Sequence, residues 1–202
     1  MGVRGLRFET TGIDGLIAVR LERHEDDRGS FARLFCREEF AAAGLKTEFV
    51  QQSLSVTPKA GTLRGMHFQH SPHGETKFVH CVRGAIYDVV ADLRPNSPSY
   101  LHWQSFRLDA HGEASLYIPT GCAHGFQTLQ DDCEVLYQMD VPYRPDFADG
   151  CRFDDEALGI KWPLPVTVVA KKDLEWPPLR KAAGGAMADP PLAVATEGRA
   201  SG

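Results

Sequence analysis

Short runs of β-branched and aromatic residues, separated by turn residues, dominate the chain from its start to about residue 140. The runs are LIAVRLE, GSFARLF, EFVQQSLSV, KFVHCVRGAIYDVVADL, YLHWQSFRL, ASLYIPT and CEVLYQMDV. This spacing is typical of β-strands. Arg83-Gly84 and residues 109–112 each lie between two apolar runs, so both are predicted to be short hairpin connections. Many short strands joined by glycine-rich turns predict a sandwich or barrel.

Helical patterning is confined to two short stretches. Residues 37–43 are rich in helix formers and are followed by Gly44, a residue typical of the position just after a helix end. A second helical turn is predicted around 154–158, because an aspartate can cap its start and Gly159 can end it. The chain is therefore predicted to be mainly β, with short helices.

The composition predicts one globular domain and a tail. The chain has 202 residues, 43% of them hydrophobic, which is enough for a substantial core. From about Lys181 onward, Ala, Gly, Pro and Ser dominate, so this part cannot bury enough apolar surface to offset its ordering entropy. We therefore expect a domain over 1–180 and a disordered tail over 181–202.

Charge and cysteine content argue against several classes of protein. The formal net charge is -5 and no block is dense in Lys or Arg, which argues against nucleic-acid binding but leaves room for a small anionic ligand. The five cysteines are odd in number and form no C-x-x-C pair, as expected in a reducing cytoplasm. The first residues lack the apolar region of a secretory signal, and no stretch approaches the roughly 18 apolar residues of a spanning helix. We expect a cytoplasmic protein without a membrane segment.

Three polar clusters interrupt the apolar β sequence and carry the candidate chemistry. They are residues 61–69 (GTLRGMHFQ), Lys77, and residues 118–126 (IPTGCAHGF). The spacing G-x5-H over 61–67 matches the start of the first cupin metal motif, and P-x-G-x-x-H over 119–124 matches the core of the second. Both patterns, in this order in a β-rich chain, predict a cupin barrel, which is a double-sheet jelly roll.

A metal site is the first alternative to consider, because many cupins hold a metal with two histidines and a carboxylate from the first motif and one histidine from the second. Here Gln69 stands where strand alternation would aim the second imidazole inward. A triad of His67, Glu75 and His124 can still be drawn, since imidazole and carboxylate suit Fe, Zn or Mn. A metal-dependent dioxygenase or sugar isomerase is therefore an alternative function.

A larger set of segments resembles the dTDP-4-dehydrorhamnose 3,5-epimerase family. The segments are D-x-RG-x-F over 26–31, TLRGMHFQ over 62–69, Lys77, RGAIYD over 83–88, DLR over 92–94, IP-x-G-x-AHGF over 118–126, VLY over 135–137, DD-x-x-LGI-x-WP over 154–163, and KD over 172–173. The resemblance covers roughly residues 10–179. It implies a cofactor-free, metal-free epimerase of the cupin type, acting at C3, C5 or both of a nucleotide-linked 4-keto-6-deoxyhexose in deoxysugar biosynthesis. It also implies a homodimer formed through N-terminal strands.

The reaction sets demands that particular residues meet. Removing a proton next to a ketone requires an oriented base and a cation or donor at the developing enolate oxygen, and epimerisation then requires an acid on the opposite face. Imidazole changes protonation near neutral pH, so His67 suits the base, and Asp173 would hold its other ring nitrogen. The resemblance implies that Lys77 lies near the keto oxygen and that Tyr137 is the acid. Lys77 follows His67 by an even number of residues, which keeps both on one face if the strand phase is preserved. A surface lysine and a structurally hydrogen-bonded tyrosine are the alternatives.

The resemblance also implies a set of substrate contacts. They are Arg28, Phe31, Gln52, Ser53, Arg64, His124 and Tyr143. The guanidinium groups suit a pyrophosphate and the aromatic rings suit stacking against the nucleotide, whereas the histidine is either a polar partner near the keto group or a core residue. The chain has Arg33 where the family commonly has Glu, Ser53 where it has Asn, and Pro142 where it has an aromatic residue. These departures leave the nucleotide and the inverted carbon open.

A third function class is a non-catalytic cupin that binds a sugar or a nucleotide. The four residues His67, Lys77, Tyr137 and Asp173 weigh against it. A pure binding protein has no use for a base and an acid on opposite faces of its ligand.

Overall fold

The computed structural model describes residues 5–112 and 114–179, and strands dominate this part of the chain. The strands are β1 (Arg7–Thr10), β2 (Ile17–Arg20), β3 (Arg23–Asp26), β4 (Gly29–Ala32), β5 (Gln51–Thr57), β6 (Thr62–Gln69), β7 (Lys77–Arg83), β8 (Ala85–Asp92), β9 (Trp103–Asp109), β10 (Ala114–Ile118), β11 (Cys122–Thr128), β12 (Cys133–Met139), β13 (Ala148–Gly150) and β14 (Val168–Val169). The helical elements are α1 (Arg37–Ala42), a 3-10 helix (Pro145–Phe147) and α2 (Lys171–Leu174). None of the described helices is long and apolar enough to cross a membrane. The tail predicted over 181–202 lies outside the described residues.

Two sheets form the body of the fold. The first has the strand order β1-β2-β10-β7-β12-β5, and the second has the order β13-β6-β11-β8-β9, with β14 pairing in parallel with β6. Strands β3 and β4 form a separate two-stranded hairpin. The predicted double-sheet barrel with short helices is confirmed.

The two predicted hairpin connections are corners between the sheets. Arg83 and Gly84 join β7 of the first sheet to β8 of the second, and residues 109–112 precede β10 of the first sheet after β9 of the second. The hairpin prediction is therefore wrong at both places, although both are turns. Gly84 has a φ of +76°, and a Cβ there would lie 2.7 Å from Sγ of Cys133, so the corner requires glycine.

The predicted helical stretches have different outcomes. α1 forms as predicted, and Gly44 follows it with a φ of +72° and donates its N–H to the carbonyl of Ala41 at 3.0 Å. Residues 154–158 form hydrogen-bonded turns and no helix. Asp155 directs these turns, because its carboxylate accepts the N–H of Ala157 at 2.8 Å while its carbonyl accepts the N–H of Gly159 at 2.8 Å.

The core has a layer between the sheets and a cover on the outer face of each sheet. The inner layer includes Val79, Ile86, Val90, Leu116, Phe126 and Val135. On the outer face of the second sheet, Met66, Val89, Ala91 and Ala123 pack with Cys151, Leu158 and Ile160. Phe40 of α1 is fully buried against the first sheet, where its ring meets those of Phe8, Phe35, Phe78 and Tyr117. Because both faces of the central strands are covered, β11 is buried along its whole length and shows no polar alternation.

Candidate active site

A cavity of about 690 Å³ lies where the two sheets face each other. Residues of the first sheet (β5, β7 and β12) and of the second sheet (β6 and β11) form its walls, together with the segment around α2. The lining residues include Gln51, Ser53, Ser55, Arg64, His67, Glu75, Lys77, His124, Tyr137, Tyr143, Asp173 and Trp176. The cavity therefore collects most of the residues that the sequence predicts for a site.

His67 and Asp173 form a hydrogen-bonded pair in this cavity. His67 on β6 is about one-third exposed, and its Nε2 donates to Oδ1 of Asp173 at 2.7 Å. Burial alone would raise the pKa of the Asp173 carboxyl, but the hydrogen bond and charge of His67, the backbone N–H of Gly65 and the charge of Lys172 together lower it. The ionised carboxylate keeps the proton of a neutral imidazole on Nε2, so that the lone pair lies on Nδ1.

Lys77 is a buried residue of the cavity wall. Its side chain is 11% exposed, and Nζ donates to the backbone carbonyl of His67 at 3.0 Å and pairs with Oε1 of Glu75 at 2.9 Å. The alternative of a surface lysine is therefore wrong. The strand-phase reasoning is also wrong, because β6 and β7 belong to different sheets. Lys77 and His67 meet because the sheets face each other.

Tyr137 lies on β12, on the wall opposite His67. Burial raises the pKa of its phenol well above the ordinary value, the charge of Asp88 raises it further, and the charge of Arg64 acts in the opposite direction. The phenol therefore keeps its proton throughout the neutral range.

His124 lines the same cavity as part of a second histidine–aspartate pair. It is 3% exposed, and its Nε2 donates to Oδ2 of the fully buried Asp88 at 2.8 Å. Its ring lies edge-on to that of Tyr137, with 6.0 Å between the centroids. The sequence offered two interpretations of His124, a core residue and a polar residue near the keto group. Its position fits both in part, because the side chain is buried and hydrogen-bonded but also lines the cavity.

The predicted substrate contacts divide into residues that line the cavity and residues that do not. Arg64, Ser53 and Tyr143 line it. Gln52 does not, because Gln51, Ser53 and Ser55 of β5 face the cavity and the residues between them face away. Gln51 lines the cavity next to Tyr143, whose N–H its Oε1 accepts at 3.0 Å, and a substrate contact of Gln52 stays a prediction.

Arg28 and Phe31 belong to the β3–β4 hairpin and do not line the cavity of their own chain. Arg28 pairs with the neighbouring Asp26 at 2.5 Å, and Phe31 is 65% exposed. Of the residues that depart from the family pattern, Ser53 lines the cavity and Arg33 pairs with Glu39 outside it. Pro142 is not a lining residue.

The three side chains of the alternative metal triad bond to different partners. His67 bonds to Asp173, Glu75 to Lys77, and His124 to Asp88. Within residues 5–112 and 114–179, no group of three or more His, Cys, Asp or Glu side chains converges on a point that a metal ion would occupy. The side chains therefore do not form the ligand set that the alternative requires.

Trp176 is a lining residue that the sequence interpretation missed. Its indole lies against Gly150 of β13, where a Cβ would come within 2.6 Å of Nε1. Gly150 is the register partner of His67, so this glycine makes room for the indole beside the histidine strand. The local sequence around Trp176, which lies next to prolines after the last short helix, does not indicate that the side chain lines the cavity.

Comparisons with known proteins agree with one another. The family model described as dTDP-4-dehydrorhamnose 3,5-epimerase matches residues 10–181. The dTDP-4-dehydrorhamnose 3,5-epimerase of Methanothermobacter thermautotrophicus is 40% identical over 179 residues, which are 87% of this chain and 95% of that protein. A dTDP-4-dehydrorhamnose 3-epimerase of Streptomyces niveus is 36% identical over 169 residues, 83% of this chain and 81% of that protein. The crystal structure of the 3,5-epimerase from Bacillus anthracis with TDP and PPi bound has a TM-score of 0.84 and 34% identity, and covers 87% of this chain and 100% of its own.

Proposed function

The chain belongs to the dTDP-4-dehydrorhamnose 3,5-epimerase family, and from this premise we propose how its cavity performs the reaction. The protein is an isomerase of deoxysugar biosynthesis, which inverts C3, C5 or both of a nucleotide-linked 4-keto-6-deoxyhexose. The observation that carries the mechanism is the position of the His67–Asp173 pair and of Tyr137 on opposite walls of one cavity.

The first half of the reaction is removal of the proton next to the ketone. Nδ1 of His67 takes this proton, because Nε2 is already held by the Asp173 carboxylate. The carboxylate stabilises the imidazolium that forms, and the ammonium of Lys77 stabilises the negative charge that develops on the keto oxygen. Burial of Lys77 supports this role, since a charge exerts a stronger effect where water is excluded.

The second half is return of a proton to the other face of the sugar ring. Tyr137 is the donor, since its phenol carries a proton when the enolate forms and lies on the wall opposite the base. The proton on the phenol passes to carbon, and the carbon–oxygen double bond of the ketone re-forms. The imidazolium of His67 then releases its proton to solvent, and the phenolate of Tyr137 takes one up. The configuration inverts because the base and the acid approach from opposite walls.

We assign the nucleotide end of the substrate to the part of the cavity that Arg64, Ser53 and Tyr143 line. The guanidinium of Arg64 suits the pyrophosphate, and Ser53 and Tyr143 suit the adjoining sugar or base. Nε of Arg64 donates to Oγ1 of Thr57 at 3.1 Å, and this hydrogen bond holds the guanidinium while its other N–H groups can bind phosphate. The relatives include both 3,5-epimerases and a 3-epimerase, so analysis of the product must identify which carbon is inverted.

We also propose a homodimer. β5 is an edge strand of the first sheet, and Val50, Leu54 and Val56 in or next to it are each more than half exposed. An exposed apolar edge of this kind is covered in stable proteins, and a second copy of the chain would cover it, so we propose the contact at β5 instead of at the N-terminal strands that the resemblance implies. In such a dimer, Arg28 and Phe31 of the exposed hairpin would contact substrate in the cavity of the partner subunit. This arrangement would explain why they do not line the cavity of their own chain. A cytoplasmic location stays a prediction, supported by five free thiols.

One experiment tests the function. The protein is incubated with dTDP-4-keto-6-deoxyglucose in D2O, and deuterium at each carbon is located by NMR. We expect deuterium at C3, at C5 or at both, together with an inverted product. Absence of both exchange and product with this and other nucleotide-linked 4-keto-6-deoxyhexoses would overturn the proposal.

A further inference from the structure

A buried ion pair between Glu75 and Lys77 lies in the wall of the cavity. Oε1 of Glu75 is 2.9 Å from Nζ of Lys77, and the two side chains are 10% and 11% exposed. Both residues line the cavity. A carboxylate taken out of water in this way is costly unless it is paired, so the contact with Lys77 holds the Glu75 side chain in place.

The second contact of Lys77 restricts its ammonium group further. Nζ also donates to the backbone carbonyl of His67 at 3.0 Å. An ammonium has three N–H donors in a tetrahedral arrangement, and two of them are directed at Glu75 and at the strand that carries His67. The direction of the third donor is thereby set as well. A lysine side chain held at one point only would sample many rotamers.

We propose that Glu75 is a positioning residue, which holds Lys77 so that its remaining N–H is directed at the keto oxygen of the substrate. This inference rests on the proposed function, in which Lys77 stabilises the enolate. Glu75 itself does not touch the reacting atoms. Its contribution is a donor that is already oriented when negative charge develops, which removes the cost of reorganisation during the reaction.

Orientation of Lys77 is what Glu75 supplies. A negative carboxylate beside a developing enolate opposes that enolate directly, so Glu75 favours the reaction only through its pairing with Lys77. The reach of its oxygen atom is what matters. Glutamine keeps an acceptor oxygen at the same reach and lacks the charge, whereas aspartate keeps the charge and withdraws the oxygen by one methylene. The two substitutions therefore separate the two properties.

The test compares Glu75→Gln and Glu75→Asp for kcat, KM and deuterium exchange in D2O with dTDP-4-keto-6-deoxyglucose. We expect Glu75→Gln to keep kcat within about threefold and Glu75→Asp to lower kcat by about 10-fold or more, with KM changed much less. Both variants leave Lys77 a polar partner, so both are expected to fold, and the thermal midpoint checks this. Glu9→Gln, which removes the charge of the exposed Glu9–Arg20 pair, is the matched control and should leave kcat unchanged.

A double-mutant cycle with Lys77→Met shows whether Glu75 acts through Lys77. In the Lys77→Met background the penalty of Glu75→Asp should disappear, because there is no ammonium left to orient. A kcat for Glu75→Asp equal to that of wild type, a loss for Glu75→Gln as large as for Glu75→Asp, or a penalty that persists without Lys77 would each overturn the inference. Absence of exchange by the wild-type protein would instead overturn the proposed function.

Discussion

Nε2 of His67 donates to Oδ1 of Asp173 at 2.7 Å, although 106 positions separate the two residues in the sequence. The contact joins β6 to the short helix α2, and the carboxylate side chain is only 2% exposed. A buried carboxylate in this position determines which ring nitrogen carries the proton. The base of the reaction is therefore Nδ1, and it depends on a residue from the far end of the domain.

Replacing His67 with Asn should abolish both exchange and epimerisation, because it removes the base while keeping much of the side-chain shape. We expect kcat to fall by about 10²–10⁴-fold. Asp173→Asn should show a smaller loss in the same direction, since it disturbs the tautomer without removing the imidazole. Both effects are measured as the rate of deuterium uptake next to the ketone. Near-normal uptake by His67→Asn would show that another group is the base.

Replacing Tyr137 with Phe should separate exchange from inversion. His67 can still remove the proton, and solvent deuterium then returns from the same face, so the substrate becomes labelled while little product forms. NMR of the recovered substrate and product measures both. Tyr117→Phe is the matched control, because its hydroxyl accepts the N–H of Lys46 in a different part of the protein. Equal loss of exchange and inversion in Tyr137→Phe would contradict the two-wall mechanism.

His80 should make the stability depend on pH. Burial lowers the pKa of this histidine from 6.5 to about 4, with a smaller opposing effect from Gln138. Below pH 6.5 His80 binds a proton in the unfolded chain but stays neutral in the folded chain. The free energy of unfolding therefore falls until the pH reaches about 4, where the folded protein also binds the proton. The full effect is about 3 kcal/mol. Above pH 6.5 His80 is neutral in both states, and the folded protein keeps this part of its free energy of unfolding in full.

The pH effect is measured by urea unfolding at several pH values between 7 and 4. His80→Gln keeps an acceptor for the hydroxyl of Ser115, which lies 2.6 Å from Nδ1 of His80, and should show a flatter profile than wild type. His111→Asn, at an exposed turn position, should follow the wild-type profile. Parallel profiles for wild type and His80→Gln would mean that His80 titrates normally in the folded protein.

Gly65 allows β6 and β11 to approach closely beside the site. Its φ is +129°, and a Cβ would lie 2.4 Å from Cα of Gly125. Gly29 has a similar φ of +121° but no atom within 4 Å of a Cβ, which makes it a matched control. We expect Gly29→Ala to lower the free energy of unfolding by about 1–3 kcal/mol from backbone strain, and Gly65→Ala to lower it by about 2 kcal/mol more from the collision. Equal losses in urea unfolding would show that β11 can move aside.

The exposed edge strand β5 should form the dimer contact. Leu54→Asp together with Val56→Asp places two charges on this edge and should convert a dimer to a monomer in light scattering at micromolar concentration. Thr10→Asp changes the opposite edge of the same sheet, at an exposed position of β1, and should leave the dimer intact. A wild-type protein that is already monomeric would refute the proposed dimer.

The β5 strand shows that its sequence pattern alone does not determine which side chains face the site. In β5 the apolar residues Leu54 and Val56 alternate with Ser53 and Ser55, and a hydrophobic pattern alone would turn the apolar set inward. The structure turns the serines toward the cavity and leaves Leu54 and Val56 exposed. Gln52 shares the outward phase of Leu54, which is why it does not line the cavity of its own chain.

The sequence by itself determined the elements whose causes are local, namely the β spacing of the apolar runs, helix α1 with its terminal glycine, and the turns at Gly84 and 109–112. Resemblance added His67, Lys77, Tyr137 and Asp173. Only the tertiary structure decided that both turns cross between sheets, that Glu75 holds Lys77, and that Trp176 lies beside Gly150. These relationships depend on which surfaces meet after the sheets have packed, and a residue's own neighbours in the chain carry no record of a partner that is distant in sequence or supplied by the opposite sheet.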